Sequence, residues 1–121
     1  MEIPDGLELR PSPIHGYGIF ATREFSAGIM IGPFIGKEYK WKDFMKEYGR
    51  DYRYTYRCMR THTIISAKHD RNWITFVNDG NKGFQEPIVN CVMKKKGLWT
   101  LRAICAGEEL LLDYGRNYPW N

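Results

Sequence analysis

The sequence predicts a mostly β domain of α+β type with little helix, and three observations carry that expectation. Apolar or alternating runs are short and punctuated by glycine and proline along the whole chain. Helical spacing appears clearly in one stretch, Trp41 to Tyr48. Residues 89 to 101 alternate on both sides of a Lys-Lys-Lys-Gly turn, the pattern of a β-hairpin.

The elements follow in order. Leu7 to Arg10 alternates weakly, Tyr17 to Thr22 suits a strand after a turn at Gly16, and Met30 to Ile35 is apolar between Gly28 and Gly36. In Trp41 to Tyr48 the side chains of Trp41, Phe44, Met45 and Tyr48 share a helical face, with Asp43 near the start and Gly49 just past the end. Tyr52, Tyr54 and Tyr56 alternate with Arg53, Thr55 and Arg57, which predicts a strand with one aromatic face. Thr63 to Ser66 is a brief apolar strand, and Asn72 to Val77 is apolar enough to be buried but too short to classify. Val89, Cys91 and Met93 form one arm of the hairpin, and Trp99 and Leu101 the other.

The hairpin feeds Ile104 to Gly115, ICAGEELLLDYG, around which the chain is organised. Ala106 and Gly107 make a tight turn, and Glu109 to Leu112 offers a buried strand too short to be a helix. It ends in Asp113, Tyr114 and Gly115, and an apolar strand that stops in acid, phenol and glycine stops at a site or a turn. Arg23 to Gly28 (REFSAG) and Arg102 to Gly107 (RAICAG) echo each other, but two copies are too few for a solenoid and read as two similar turns.

Composition bounds the alternatives. A chain of 121 residues fits one domain spanning 1 to 121, since no linker or second composition regime appears. No apolar run approaches the ~20 residues of a membrane span, and the N-terminus lacks the pattern of a signal peptide. The expectation is a soluble, intracellular chain with no membrane partner. Cys58, Cys91 and Cys105 are odd in number and widely spaced, which favours a reducing compartment and supports neither a disulfide framework nor a zinc site. The net charge is +4, and Lys94, Lys95 and Lys96 read as a solvated turn, so direct nucleic-acid binding is not expected. Eight tyrosines exceed what a core of this size requires, which implies that some line a pocket.

Asn72 to Asn78 (NWITFVN), followed by Asn90 and Cys91 and then by ELLLDYG, resembles the SET-domain family of protein lysine methyltransferases. In that family an asparagine-centred segment, usually N-H-S, and a terminal E-L-x-x-D-Y-G segment thread past each other in a knot-like core of several small sheets. Upstream, Ser12 to Phe20 (SPIHGYGIF) resembles the family's opening G-x-G loop, Pro33 to Lys37 (PFIGK) its E-Y-x-G-E strand, and Ile65 to Ala67 its I-D-A segment. The motifs are individually weak but stand in the right order over nearly the whole chain.

The resemblance implies transfer of a methyl group from S-adenosylmethionine to a lysine of a protein or peptide, a histone among the candidates, with nuclear action in that case. It assigns Tyr114 the catalytic position, its hydroxyl orienting amine and sulfonium. It maps the cofactor onto His15, Gly16 and Tyr17 through backbone groups, onto Tyr54, onto Asn78 with Asp79, and onto Trp120 as a ring for the adenine. It makes Phe34, Tyr56 and Leu112 the walls of the lysine channel. Core packing is the structural alternative for the three channel residues, for Trp120 and for Tyr114.

The chain also departs from the family pattern at several positions. Asp79 and Gly80 stand where histidine and serine are usual, Thr75 replaces a frequent arginine, Ser66 replaces the aspartate of I-D-A, and Leu112 replaces a phenylalanine or tyrosine. The resemblance brings no cysteine-rich flank and no metal. The C-terminal wall of the channel must then come from Arg116 to Asn121, from residues outside this chain, or from a second subunit in a homodimer. Three functions remain distinct: an active lysine methyltransferase, a catalytically inert SET-like binding or scaffold module, and a basic nucleic-acid-binding β-domain.

Overall fold

The computed structural model describes residues 1–81 and 88–114. Among these the strands form two two-stranded and two three-stranded sheets, with one α-helix. Strand β1 (Leu7–Pro11) pairs antiparallel with β2 (Tyr17–Ala21), from Leu7 opposite Ala21 to Pro11 opposite Tyr17. The connection closes through the Ser12 N–H on the Gly16 carbonyl at 2.7 Å, with Gly16 in the left-handed region at φ 44°. One face of β2 buries Ile19 and Ala21 completely.

The second layer is β3 (Met30–Pro33), β9 (Gly97–Thr100) and β8 (Cys91–Lys94) in that spatial order. The β8–β9 turn is two residues, Lys95 and Lys96, both at positive φ (50° and 60°), as a type I′ turn requires. The third is β4 (Lys37–Lys40), β6 (Thr63–Ser66) and β5 (Thr55–Cys58), with β6 central.

Helix α1 spans Trp41–Tyr48 and stops at Gly49, whose φ of 62° leaves the helix while its N–H bonds the Met45 carbonyl at 2.9 Å. Its inward residue Phe44 is fully buried against Tyr39 and Ile64. The predicted helix is therefore found with its expected ends.

The predicted tyrosine strand is not. β5 begins only at Thr55, because Tyr54 sits at φ 60° and the chain turns there. Tyr52 consequently stacks on Phe44 at 5.9 Å on the helix side, while Tyr54 and Tyr56 pack on the main core. A single strand would have put all three on one face.

A short 3-10 turn (Trp73–Phe76) occupies the segment left unclassified from sequence, capped by the Asn72 side chain on the Ile74 N–H at 3.0 Å. It leads to β7 (Asn78–Asp79), which pairs in parallel with β10 (Leu111–Leu112), Asn78 opposite Leu111. The buried Asn90 side chain clamps the other edge of β10, accepting from the Leu111 N–H at 2.8 Å and donating to the Glu109 carbonyl at 2.9 Å. Ile19, Ile74, Leu98, Leu110 and Leu112 are all fully buried in the main core. Each contributes about 1.5–3 kcal/mol relative to exposure.

The two echoing segments pair with each other. Phe25 and Ile104 exchange both backbone hydrogen bonds at 2.9 Å, and at equivalent positions the Gly28 N–H bonds the Thr100 carbonyl and the Gly107 N–H the Ala21 carbonyl. A local two-fold relation thus joins the N-terminal strands to the segment that enters β10. The knot-like threading expected of the C-terminal segment lies outside the described residues.

Candidate active site

The opening glycine loop is held from behind by Asn78 and Glu109. The Asn78 amide donates to the carbonyls of His15 (2.9 Å) and Tyr17 (3.2 Å) and to Glu109 Oε2 (3.0 Å). The same carboxylate accepts from the Ser12 hydroxyl at 2.9 Å, and the Ser12 oxygen accepts from the Ile14 N–H at 3.0 Å. Gly18 makes this contact available, since a Cβ there would stand 2.1 Å from Glu109 Oε2. Sequence reasoning missed Glu109; the signal was an acidic residue at the head of a buried Leu-Leu-Leu run, a position that needs partners.

In front of the loop lies a cleft of about 740 Å³. His15, Gly16, Tyr17, Tyr54, Asn78 and Asp79, the residues expected to hold the cofactor, all line it, and so does Tyr114. Trp120 lies outside the described residues. Gly16 has no heavy atom within 4 Å of where a Cβ would be, so its backbone is open to approach.

The cleft also holds Arg71, which sequence reasoning did not single out. Its guanidinium lies over Tyr54 (4.1 Å) and Phe76 (3.9 Å), while Nε donates to the Thr75 hydroxyl and a terminal nitrogen to the Thr75 carbonyl, both at 3.0 Å. The signal was the pair itself. Thr75 departs from a frequent arginine, and an arginine four residues upstream puts a cation beside it across the 3-10 turn.

Tyr54 owes its place to the chain just before it. Asp51 pairs with Arg53 at 2.9 Å and with Lys68 at 3.2 Å, and the Arg53 hydrogen bonds followed by Lys68 hold its carboxyl well below the usual carboxylate range. The Tyr54 carbonyl then accepts from the Ala67 N–H at 2.8 Å, which fixes the turn against β6.

Tyr114 follows β10 and crosses to the segment before β7, where its hydroxyl donates to the Val77 carbonyl. Its backbone N–H approaches Asp79 Oδ1 at 3.4 Å, and the same oxygen accepts from the Asn81 N–H at 3.0 Å. Asn81 in turn donates to Asp113 at 3.2 Å. Asp79 therefore ties the asparagine segment to the tyrosine segment with a carboxylate. Gly80 is packed too closely for a side chain, with a Cβ falling 2.8 Å from Leu111 Cβ.

The three expected channel residues stand apart from the cleft lining. Phe34 and Tyr56 meet at 6.2 Å between ring centroids, Phe34 buried and Tyr56 half-buried. Leu112 is fully buried and bonded through its carbonyl to the Gly80 N–H at 2.7 Å. Phe34 and Leu112 belong to the apolar cluster against which both Tyr56 and Tyr114 pack.

Residues 16–115 match the family model of the SET domain. Among solved structures the chain is similar to the methyltransferase domain of human PR domain-containing protein 2, with 26% sequence identity and a TM-score of 0.61 over 91% of this chain and 77% of that one. No curated protein sequence matches it significantly.

Proposed function

This chain belongs to the SET-domain family, and from that premise we propose that it is a protein lysine methyltransferase using S-adenosylmethionine. The observation that carries the reading is the gathering of Tyr114, Asn78 with Asp79, Tyr54 and the His15–Tyr17 loop, from four separate parts of the sequence, around one cleft. Its volume falls in the ~300–1,000 Å³ range of small-molecule sites. The lining also fits the cofactor's chemistry: Arg71 offers a cation for a carboxylate, the aromatic rings offer apolar and π surface, and the open Gly16 backbone lets a ligand approach.

When bound, S-adenosylmethionine supplies an electrophilic methyl group on a positively charged sulfur. The protein's part is to hold and orient. Arg71 would take the carboxylate end, with the 15–17 loop and the Asn78–Asp79 segment holding the nucleoside. The Tyr114 hydroxyl donates to the Val77 carbonyl, and because a phenolic oxygen that donates can also accept, it would orient the lysine amine and the sulfonium. A lysine amine has a reference pKa of ~10.4 and must shed a proton before it attacks. The Phe34–Tyr56 pair would provide an apolar passage in which the charged ammonium is disfavoured. Positioning and fixed electrostatics supply the acceleration, with no covalent intermediate on the protein.

Asp79 and Gly80, in place of the family's histidine and serine, favour a second reading as an inert SET-like module. Two measurements separate the readings. Calorimetry with S-adenosylmethionine tests the pocket, and transfer of label from the cofactor to histones and cell extract, with mass spectrometry of products, tests the chemistry. Binding and lysine methylation support the enzyme; binding with no labelled product in any extract, or no binding even at high cofactor concentration, supports the inert module.

A further inference from the structure

The tip of the β8–β9 hairpin overhangs the side of the molecule where Phe34 and Tyr56 meet. The Phe34 N–H bonds the Lys96 carbonyl at 2.8 Å, and Phe34 in turn packs on Tyr56. Cys58, two residues further along β5, lies within the field of the Lys96 ammonium, which adds to the Thr61 hydrogen bond in holding its thiol below the ordinary value. Lys94, Lys95 and Lys96 are all exposed on this hairpin, with the Lys94 and Lys95 ammoniums over the Trp99 ring. A hollow of about 680 Å³ at the ends of β4 and β6 continues the basic character with Lys40, Lys42 and His62 around Met59. Glu38 also stands on this face, in register with Tyr56 across Ile65.

The turn residues carry a second observation. Asn-Gly would occupy the two left-handed positions of this turn without strain, whereas lysine must be forced there. Strain of this kind persists where surrounding structure and function hold it. Two lysines thus stand where a less strained local choice exists.

We infer that this lysine hairpin is a specificity element, selecting a substrate segment that carries aspartate or glutamate beside its target lysine. The inference rests on the methyltransferase reading, because it takes the Phe34–Tyr56 side as the entry for the lysine. A basic flank such as a histone tail's meets like charge at the rim, and an acidic flank meets its complement. Nucleic acid fits the surface less well. The Trp99 ring that could stack on a base is already covered by Lys94 at 4.8 Å and Lys95 at 5.5 Å.

The test uses fluorescent peptides of equal length with a central lysine flanked by acidic, neutral or basic residues, titrated by anisotropy at low and high salt. The acidic peptide should bind at least about tenfold more tightly than the basic one, with the difference shrinking as salt rises. The double variant Lys95→Asn with Lys96→Gly should melt no lower than wild type yet lose most of that preference, and Lys95→Arg with Lys96→Arg should keep it. Equal binding of acidic and basic peptides, no binding of any peptide, or an unchanged preference in the Asn-Gly variant overturns the inference. An oligonucleotide that binds more tightly than the acidic peptide overturns it in favour of a nucleic-acid surface. Cofactor calorimetry on the same samples keeps the two readings apart: peptide preference without cofactor binding sinks the enzyme and leaves the acidic-segment surface, while cofactor binding without preference does the reverse.

Discussion

The hydroxyl of Tyr114 is locked onto the carbonyl of Val77, so the residue that follows β10 is fixed to the residue that introduces β7. Tyr114 also lines the cleft, and a phenolic oxygen that donates its proton can still accept, which would suit a cationic methyl donor and an incoming amine.

Replacing that hydroxyl separates its two roles. Tyr114→Phe should reduce methyl transfer by about a hundredfold or more, the worth of one positioned polar group in a dry site. It should also cost about 1 kcal/mol of stability, because the Val77 carbonyl loses its partner. Turnover and melting temperature measured on the one variant decide the matter. A lowered melting point with unchanged turnover leaves Tyr114 a core phenol.

Arg71 offers a test of how the cleft holds its ligand. Arg71→Ala should weaken S-adenosylmethionine binding by roughly ten- to a hundredfold, the value of a hydrogen bond to a charged group. Methylthioadenosine, which lacks the amino-acid end, should bind the variant as it binds wild type. Calorimetry with both ligands reads the difference, and an equal loss for both would mean that Arg71 only shapes Tyr54 and Phe76.

The glycine loop should be intolerant at Gly18. An alanine Cβ would stand 2.1 Å from Glu109 Oε2 and 3.2 Å from the Asn78 amide, so the carboxylate must leave its place. Gly18→Ala should cost about 1–3 kcal/mol and weaken cofactor binding as well. Gly16→Ala meets nothing within 4 Å but must adopt φ 44°, so it should lower the melting temperature less. Thermal melts of the two variants check the order.

Asp51 predicts an acid-sensitive contribution next to Tyr54. Its folded-state pKa is lowered, chiefly by hydrogen bonds from Arg53 and then Lys68, so its stabilisation is present above the unfolded carboxylate value of ~4 and fades as pH falls below it. The carboxylate is 38% exposed, so the effect is small and screened by salt. Asp51→Asn should therefore melt slightly below wild type at pH 7, with the gap closing as pH drops from ~4 towards 2. A gap that stays constant with pH would show that the side chain acts through packing alone.

The chain's local patterns determined a great deal. The helix Trp41–Tyr48 is found with its sequence-read ends because its inward face, Phe44 above all, and its terminator Gly49 are all local. The hairpin turning at Lys95 and Lys96 and the strand Thr63–Ser66 were legible for the same reason, as were the motifs that identify the family. Tertiary structure decided the rest. Alternation of Tyr52, Tyr54 and Tyr56 could not reveal that the chain turns at Tyr54, since the tie from Ala67 to its carbonyl comes from a distant strand. Nor could the two echoing segments show that Phe25 pairs with Ile104. Glu109 reaching Ser12 and Asn78, Arg71 closing on Thr75 between two rings, and Asp79 bridging to Tyr114 all depend on where separate segments arrive in space. Periodicity encodes which face of an element is apolar; chain closure and side-chain reach decide which elements then meet, and the candidate site is built from those meetings.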